Sequence, residues 1–142
     1  MTRRLPTHLL VAALIRRFHE AKVSGAADVV VWGTGTPRRE FLYVDDLADA
    51  CIHLMKTYSS PELVNIGTGE DITIAEFARV VAATVGYRGE ISFDSSRPDG
   101  TPRKLLDVNR LAKLGWRATT PLEDGIKLAY QAYLSETKQA AE

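Results

Sequence analysis

Apolar residues recur first at a helical interval. Leu10, Leu14 and Phe18 stand four apart, with Arg16, Arg17 and Glu20 on or beside the edges of their face, which predicts a helix from Leu9 to about Val23 that Gly25 stops. Asp28-Val-Val-Val-Trp32 is short and β-branched and reads as a strand. Phe41-Leu-Tyr-Val44 reads as a second, and the basic stretch Gly33 to Glu40 between them suggests a hairpin with a long tip. Asp45 or Asp46 is expected to cap a helix that carries Leu47, Ala50, Cys51, Leu54 and Met55 on its apolar face up to about Thr57. After the break at Ser59-Ser-Pro61, Leu63 to Ile66 is expected as a strand running into Gly67-Thr-Gly69. Thr73-Ile-Ala-Glu76 has the form of a capping box, so a helix should run from Ile74 to Val85 and end at Gly86. Glu90 to Asp94 is a further strand, Leu105 to Val108 is extended, and Asn109 caps a short helix to Leu114. Pro121 opens a last helix to roughly Ser135, which completes a mixed α/β pattern.

Composition narrows what such a pattern can serve. The 142 residues are 45% apolar, enough for one domain with a real core. Eighteen basic residues balance eighteen acidic ones, so no bulk field draws in nucleic acid or an anionic membrane, and any anion site must be a local cluster. The lone Cys51 excludes an internal disulfide and a multi-thiolate metal site, favours a reducing, cytoplasmic setting, and is expected to pack on its apolar face. Arg3-Arg4 followed by Leu9 to Ile15 imitates a secretory signal. The run stops at Arg16-Arg17, lacks a small-residue cleavage site and continues in the same helical pattern, so an amphipathic core helix is the plainer account.

The chemistry concentrates in Arg97-Pro-Asp-Gly-Thr-Pro-Arg-Lys104, where two prolines and a glycine stiffen a loop bearing three cations. Arg16-Arg17 and Arg38-Arg39 are two further basic pairs that could converge with it on a phosphate, and Trp32 would add a flat face for a base or sugar ring. Gly67-Thr-Gly69 lacks the third glycine of a dinucleotide loop and reads as a turn. His8, His19 and His53 have no acid or base partner by spacing, and Asp45-Asp46 suit a helix start better than catalysis or a metal. Tyr43 has no lysine four positions on, so the residues read as a ligand-binding domain with no catalytic or metal-binding machinery of its own.

Four segments carry a resemblance: Ala13-Leu-Ile-Arg-Arg-Phe-His-Glu-Ala21, Val29 to Asp46 with its Arg-Arg-Glu-Phe-Leu-Tyr-Val-Asp-Asp, Asn65-Ile-Gly-Thr-Gly69, and Phe93 to Asp107 with its Arg-Pro-Asp-Gly-Thr-Pro-Arg-Lys. Together they resemble the C-terminal half of the GDP-L-fucose synthases, NADPH-dependent epimerase/reductases of the extended short-chain dehydrogenase group. The resemblance implies that Arg17, Trp32, Arg39 and Lys104 contact a GDP-sugar and that Asp99 lies in the same binding loop. It implies a substrate-binding lobe formed by 13–44 and 70–137, and a helix and strand within 45–69 that complete a nucleotide-fold (Rossmann) domain. Residues 1–12 depart from the family pattern, with His8 out of register. The family's cofactor loop and its Ser, Tyr and Lys are not among these residues, so no cofactor is expected on this chain, although the intact family enzyme uses NADPH. The expectation is therefore a GDP-sugar-binding part that is silent alone and could be completed by a separately encoded nucleotide-fold half. The alternatives are a stand-alone GDP-sugar module or a gene remnant. A bare face of Leu47, Ala50, Leu54 and Met55 would invite self-association.

Overall fold

Two apolar periods meet in the core. The computed structural model describes residues 10–139, so most of the atypical 1–12 segment, His8 included, lies outside the described residues. Helix α1 (Leu10–Ser24) buries Leu14, Ile15, Phe18 and Ala21. Strand β1 (Asp28–Trp32) alternates, with Val29 and Val31 inward and Asp28, Val30 and Trp32 outward. Two-residue strand β2 (Arg38–Arg39) precedes α2 (Val44–Thr57), and β3 (Ile72–Thr73) leads directly into α3 (Ile74–Val85). Strands β4 (Glu90–Asp94) and β5 (Arg103–Lys104), then α4 (Asn109–Lys113) and α5 (Leu122–Gln139), complete the order.

The capping box forms as its spacing requires: the Glu76 N–H donates to Thr73 Oγ1 at 3.1 Å, and the Thr73 N–H donates to Glu76 Oε2 at 3.0 Å. Gly86 then closes α3 in the left-handed conformation at φ 81°. Phe77, Ala78 and Val81 of α3 are fully buried between α1 and α5, where Phe18 and Ile126 meet them. Burying a side chain such as Phe18 or Phe77 stabilises the fold by roughly 1.5–3 kcal/mol. Lys22 of α1 donates to the Val85 carbonyl at 2.9 Å and ties the two helix ends together.

Strand pairing departs from the sequence reading. β1 does not form a hairpin with the segment after it; it pairs in parallel with β4, from Asp28↔Glu90 to Trp32↔Asp94. The expected strand does not form: Phe41 to Tyr43 lies outside any ladder and Val44 already begins α2, because the side chains serve different surroundings, Phe41 stacking on Phe77 at 4.0 Å whereas Leu42 packs with a second cluster around Ala50, Leu111 and Trp116. The ladder falls earlier, at Arg38 and Arg39, which pair antiparallel with β3 and parallel with β5. Leu63 to Ile66 keeps a strand's alternation, with Val64 and Ile66 half-buried, but no strand lies beside it among the described residues.

Helix α2 also revises its expectation. Its N-cap is Tyr43, and Asp45 and Asp46 sit in the first turn, where their charge suits the helix dipole. Asp46 is buried and binds elsewhere: Oδ2 accepts the N–H groups of Thr119 and Thr120 at 3.2 and 2.9 Å, and Oδ1 accepts their hydroxyls. Burial pushes its carboxyl up, but these hydrogen bonds outweigh that and hold it below the usual carboxylate range. Ala50 is fully buried and Leu54 half-buried, so the expected bare face is partly covered by α4 and Trp116, whose indole N–H donates to Asp49 at 2.8 Å. Val44, Leu47, Ile52 and Met55 stay exposed, Met55 at 84%. Cys51 is exposed too, because the inward stripe of α2 runs through Ala50 and Leu54. Asn109 begins α4 as a helical residue, with Asp107 Oδ1 accepting its N–H at 2.9 Å. The last helix runs past the expected Ser135 to Gln139. No helix among the described residues is long and apolar enough to cross a membrane.

Candidate functional site

The end of β1 and the loop after β4 form one surface, because the parallel β1–β4 pair delivers both chain segments to the same edge. Trp32, the last residue of β1, is 57% exposed, so its indole is a surface group and not core. The Arg97 guanidinium lies 4.8 Å from the centre of that ring and 3.7 Å from Asp94. A cation over an indole face stabilises both, and at this exposure part of the ring remains open to another flat group.

Asp99 fastens the loop to the turn after β1. Its Oδ1 accepts the Thr34 N–H at 2.9 Å and its Oδ2 the Thr34 hydroxyl at 2.6 Å. These bonds, hydroxyl first, hold its carboxyl below the usual range. Gly33 must be glycine here, since it sits at φ 93° and a Cβ would lie 2.5 Å from Asp99 Oδ1.

Arg39 and Lys104 stand opposite each other in the β2–β5 register. Arg39 Nη1 donates to the carbonyls of Arg38 and Thr101, both at 2.7 Å, which fixes its guanidinium against the backbone of the basic loop. Arg38 and Arg103, the neighbouring register pair, both turn to Asp71: their Nε atoms donate to Oδ1 at 2.9 Å and Oδ2 at 2.5 Å. The Asp71 side chain is 4% exposed, and its hydrogen bonds from Arg103 and then Arg38 hold it below the usual carboxylate range. Arg17 joins from the side. Its guanidinium donates to the Val30 carbonyl, on the strand that ends at Trp32.

Of the expected contacts, Trp32, Arg39, Lys104 and Asp99 are therefore gathered by one loop, with Arg17 reaching the same strand from α1. Arg16 is not part of the group, being paired with Glu20 at 2.6 Å. Arg38 and Arg103 are spent on Asp71, which leaves fewer free cations than the three basic runs suggest.

Two carboxylates escaped the sequence reading, Asp71 and Glu40. Glu40 Oε2 accepts the N–H groups of Thr68 and Gly69 at 2.8 and 2.6 Å, and Oε1 accepts the Leu106 N–H at 3.1 Å. No local spacing links these positions. The available signal was an acidic residue inside each otherwise basic or glycine-rich stretch. The Gly67-Thr-Gly69 amides thus face an internal anion, and a Cβ on Gly67 would lie 2.6 Å from Glu40 Oε2. That turn does not fit the phosphates of NADPH.

Residues 3–67 match the model of the NAD dependent epimerase/dehydratase family. The chain is 56% identical over 128 residues to GDP-L-fucose synthase 1 of Arabidopsis thaliana, covering 90% of this chain and 39% of that protein. The chain is a homologue of the GDP-L-fucose synthases. The synthase of Escherichia coli is 53% identical over 88% of this chain, which covers 42% of the bacterial protein. A GDP-L-fucose synthetase from Naegleria fowleri, solved bound to NADP, superposes with a TM-score of 0.84 at 28% identity, covering 91% of this chain and 41% of that one. The fold is accordingly a partial extended short-chain dehydrogenase, and this synthase homologue spans about two fifths of the length of the curated relatives it matches.

Proposed function

We propose that this chain is the GDP-sugar-binding part of a GDP-L-fucose synthase-like, NADPH-dependent epimerase/reductase. The observation that carries the reading is the Arg39↔Lys104 register pair beside Asp99 and Trp32. Two cations on a backbone-fixed ladder hold a diphosphate with little loss of side-chain freedom, Trp32 offers the open part of its ring to the base or a sugar, and Asp99 offers carboxylate lone pairs to hydroxyls. Arg17 closes the side of the site along β1.

Catalysis would lie with the family's glycine loop and its Ser, Tyr and Lys, none of which is among these 142 residues. Residues 45–69 would pack on the nucleotide-fold half that supplies them, preceding this chain or separately encoded. The exposed Val44, Leu47, Ile52 and Met55, and the unpaired alternation of Leu63 to Ile66, support that placement. NADPH supplies the hydride when it is bound by that half; this chain grips and orients the substrate.

Calorimetric titration of the purified chain with GDP and with GDP-fucose tests the reading. Saturable heat is expected, weakened about tenfold or more by Arg39→Ala or Lys104→Ala. No heat at ligand concentrations of about 1 mM, a range that detects even weak binding, would reject it. NADPH oxidation by this chain alone with the keto-sugar substrate would overturn its catalytic silence.

A further inference from the structure

Lys104 lies between two carboxylate anchorages. On one side, Arg103 is bound to the buried Asp71, which also holds Arg38 of the neighbouring strand. On the other, the Leu106 N–H is bound to Glu40, which simultaneously holds the Thr68 and Gly69 amides. The ladder between β2 and β5 is only two residues long, too short to fix a loop unaided. Strand alternation places the side chains of the Arg38/Arg103 pair on one face and those of the Arg39/Lys104 pair on the other. A carboxylate that binds the first pair therefore aims the second away from itself, and keeps those cations from being neutralised by it.

We infer that Asp71 and Glu40 are positioning residues that set Lys104 and Arg39 for a diphosphate without touching it. This rests on the proposed GDP-sugar reading. Asp71→Asn breaks the double arginine anchorage while preserving size. Glu40→Gln keeps one acceptor oxygen but turns an amide N–H₂ toward one of the backbone donors. Neither residue donates to an anion, so any effect on ligand affinity must pass through the cations they hold.

The test is a double-mutant cycle on GDP affinity in the full chain, using Asp71→Asn, Lys104→Ala and the pair, with Glu40→Gln in a parallel cycle. Each single change is expected to weaken GDP about tenfold. In the Lys104→Ala background, Asp71→Asn should cost less than about threefold more, because one of the two cations it positions is gone and only its effect through Arg39 remains. A merely structural role would give the same loss in both backgrounds, and that result overturns the inference. So does unchanged affinity in Asp71→Asn when the parent binds. If the parent binds no GDP, the proposed function fails and this inference falls with it. Arg103→Met removes the same anchorage from the other side and must reproduce the cycle, which keeps the test decisive should Asp71→Asn not fold.

Discussion

Asp46 is the connection between α2 and the approach to α5, and its two oxygens divide their work in a way that two substitutions can separate. Both backbone N–H groups, of Thr119 and Thr120, go to Oδ2, and both hydroxyls go to Oδ1. Asp46→Ala removes all of these acceptors. The hydroxyls can rotate to other partners, so the loss is dominated by the two backbone donors, at roughly 1–2 kcal/mol each once water entering the opened site is allowed for. A total of about 3 kcal/mol corresponds to a fall in Tm of roughly 6–12 °C for a chain of this size. Asp46→Asn can keep its oxygen where Oδ2 stands and offer N–H₂ to the hydroxyls, which turn to accept. It loses only charge assistance and the favourable first-turn charge, about 1 kcal/mol and roughly 2–4 °C.

Acid weakens the same contact. Burial raises the carboxyl, the Thr120 and Thr119 bonds lower it by more, and the folded value is net depressed. Its contribution is therefore fully present above the unfolded value of about 4 and is lost as pH falls through the folded value. The gap between parent and Asp46→Asn should narrow below about pH 4. Thermal unfolding followed by circular dichroism at about pH 7 and about pH 3 reads both effects. An asparagine variant as unstable as the alanine variant near neutrality would refute the division of the two oxygens, and an undiminished gap in acid would refute the charge argument.

Thr73→Ala should lower the urea unfolding free energy by about 1 kcal/mol through loss of the capping box. Phe77→Ala should cost about 3–5 kcal/mol in the same assay, since the ring is fully buried and stacked on Phe41. Gly35→Ala should lower Tm by several degrees, roughly the effect of 1–3 kcal/mol, because Gly35 sits at φ 77° and a new Cβ would lie 2.7 Å from the Phe93 ring. Met55→Glu, on the exposed side of α2, should change stability by less than about 0.5 kcal/mol and shift any dimer seen by analytical ultracentrifugation toward monomer.

Helices were legible because their signals are local. Leu14 and Phe18 recur within one turn of each other, Thr73 and Glu76 lie within reach of one another, and Gly86 needs no distant partner to end α3. The residues proposed to face a substrate were legible only as a set of separated runs and through the family resemblance. Nothing near Arg103 in sequence says that Asp71 will bind it, and nothing near Gly67 says that Glu40 will fill its turn. Strands suffered in the same way: the β-branched run of β1 was visible, but its partner was β4 and not the apolar segment nearest in sequence.

By itself, the sequence determined where α3 starts and stops, which side of α1 and α3 turns inward, and that a stiff basic loop exists. Only the tertiary structure decided which cations remain available. Hydrogen bonds and ion pairs act over a few ångströms in space, without regard to separation along the chain, so Arg38 and Arg103 could be claimed by Asp71 while Arg39 and Lys104 were set side by side on the opposite face.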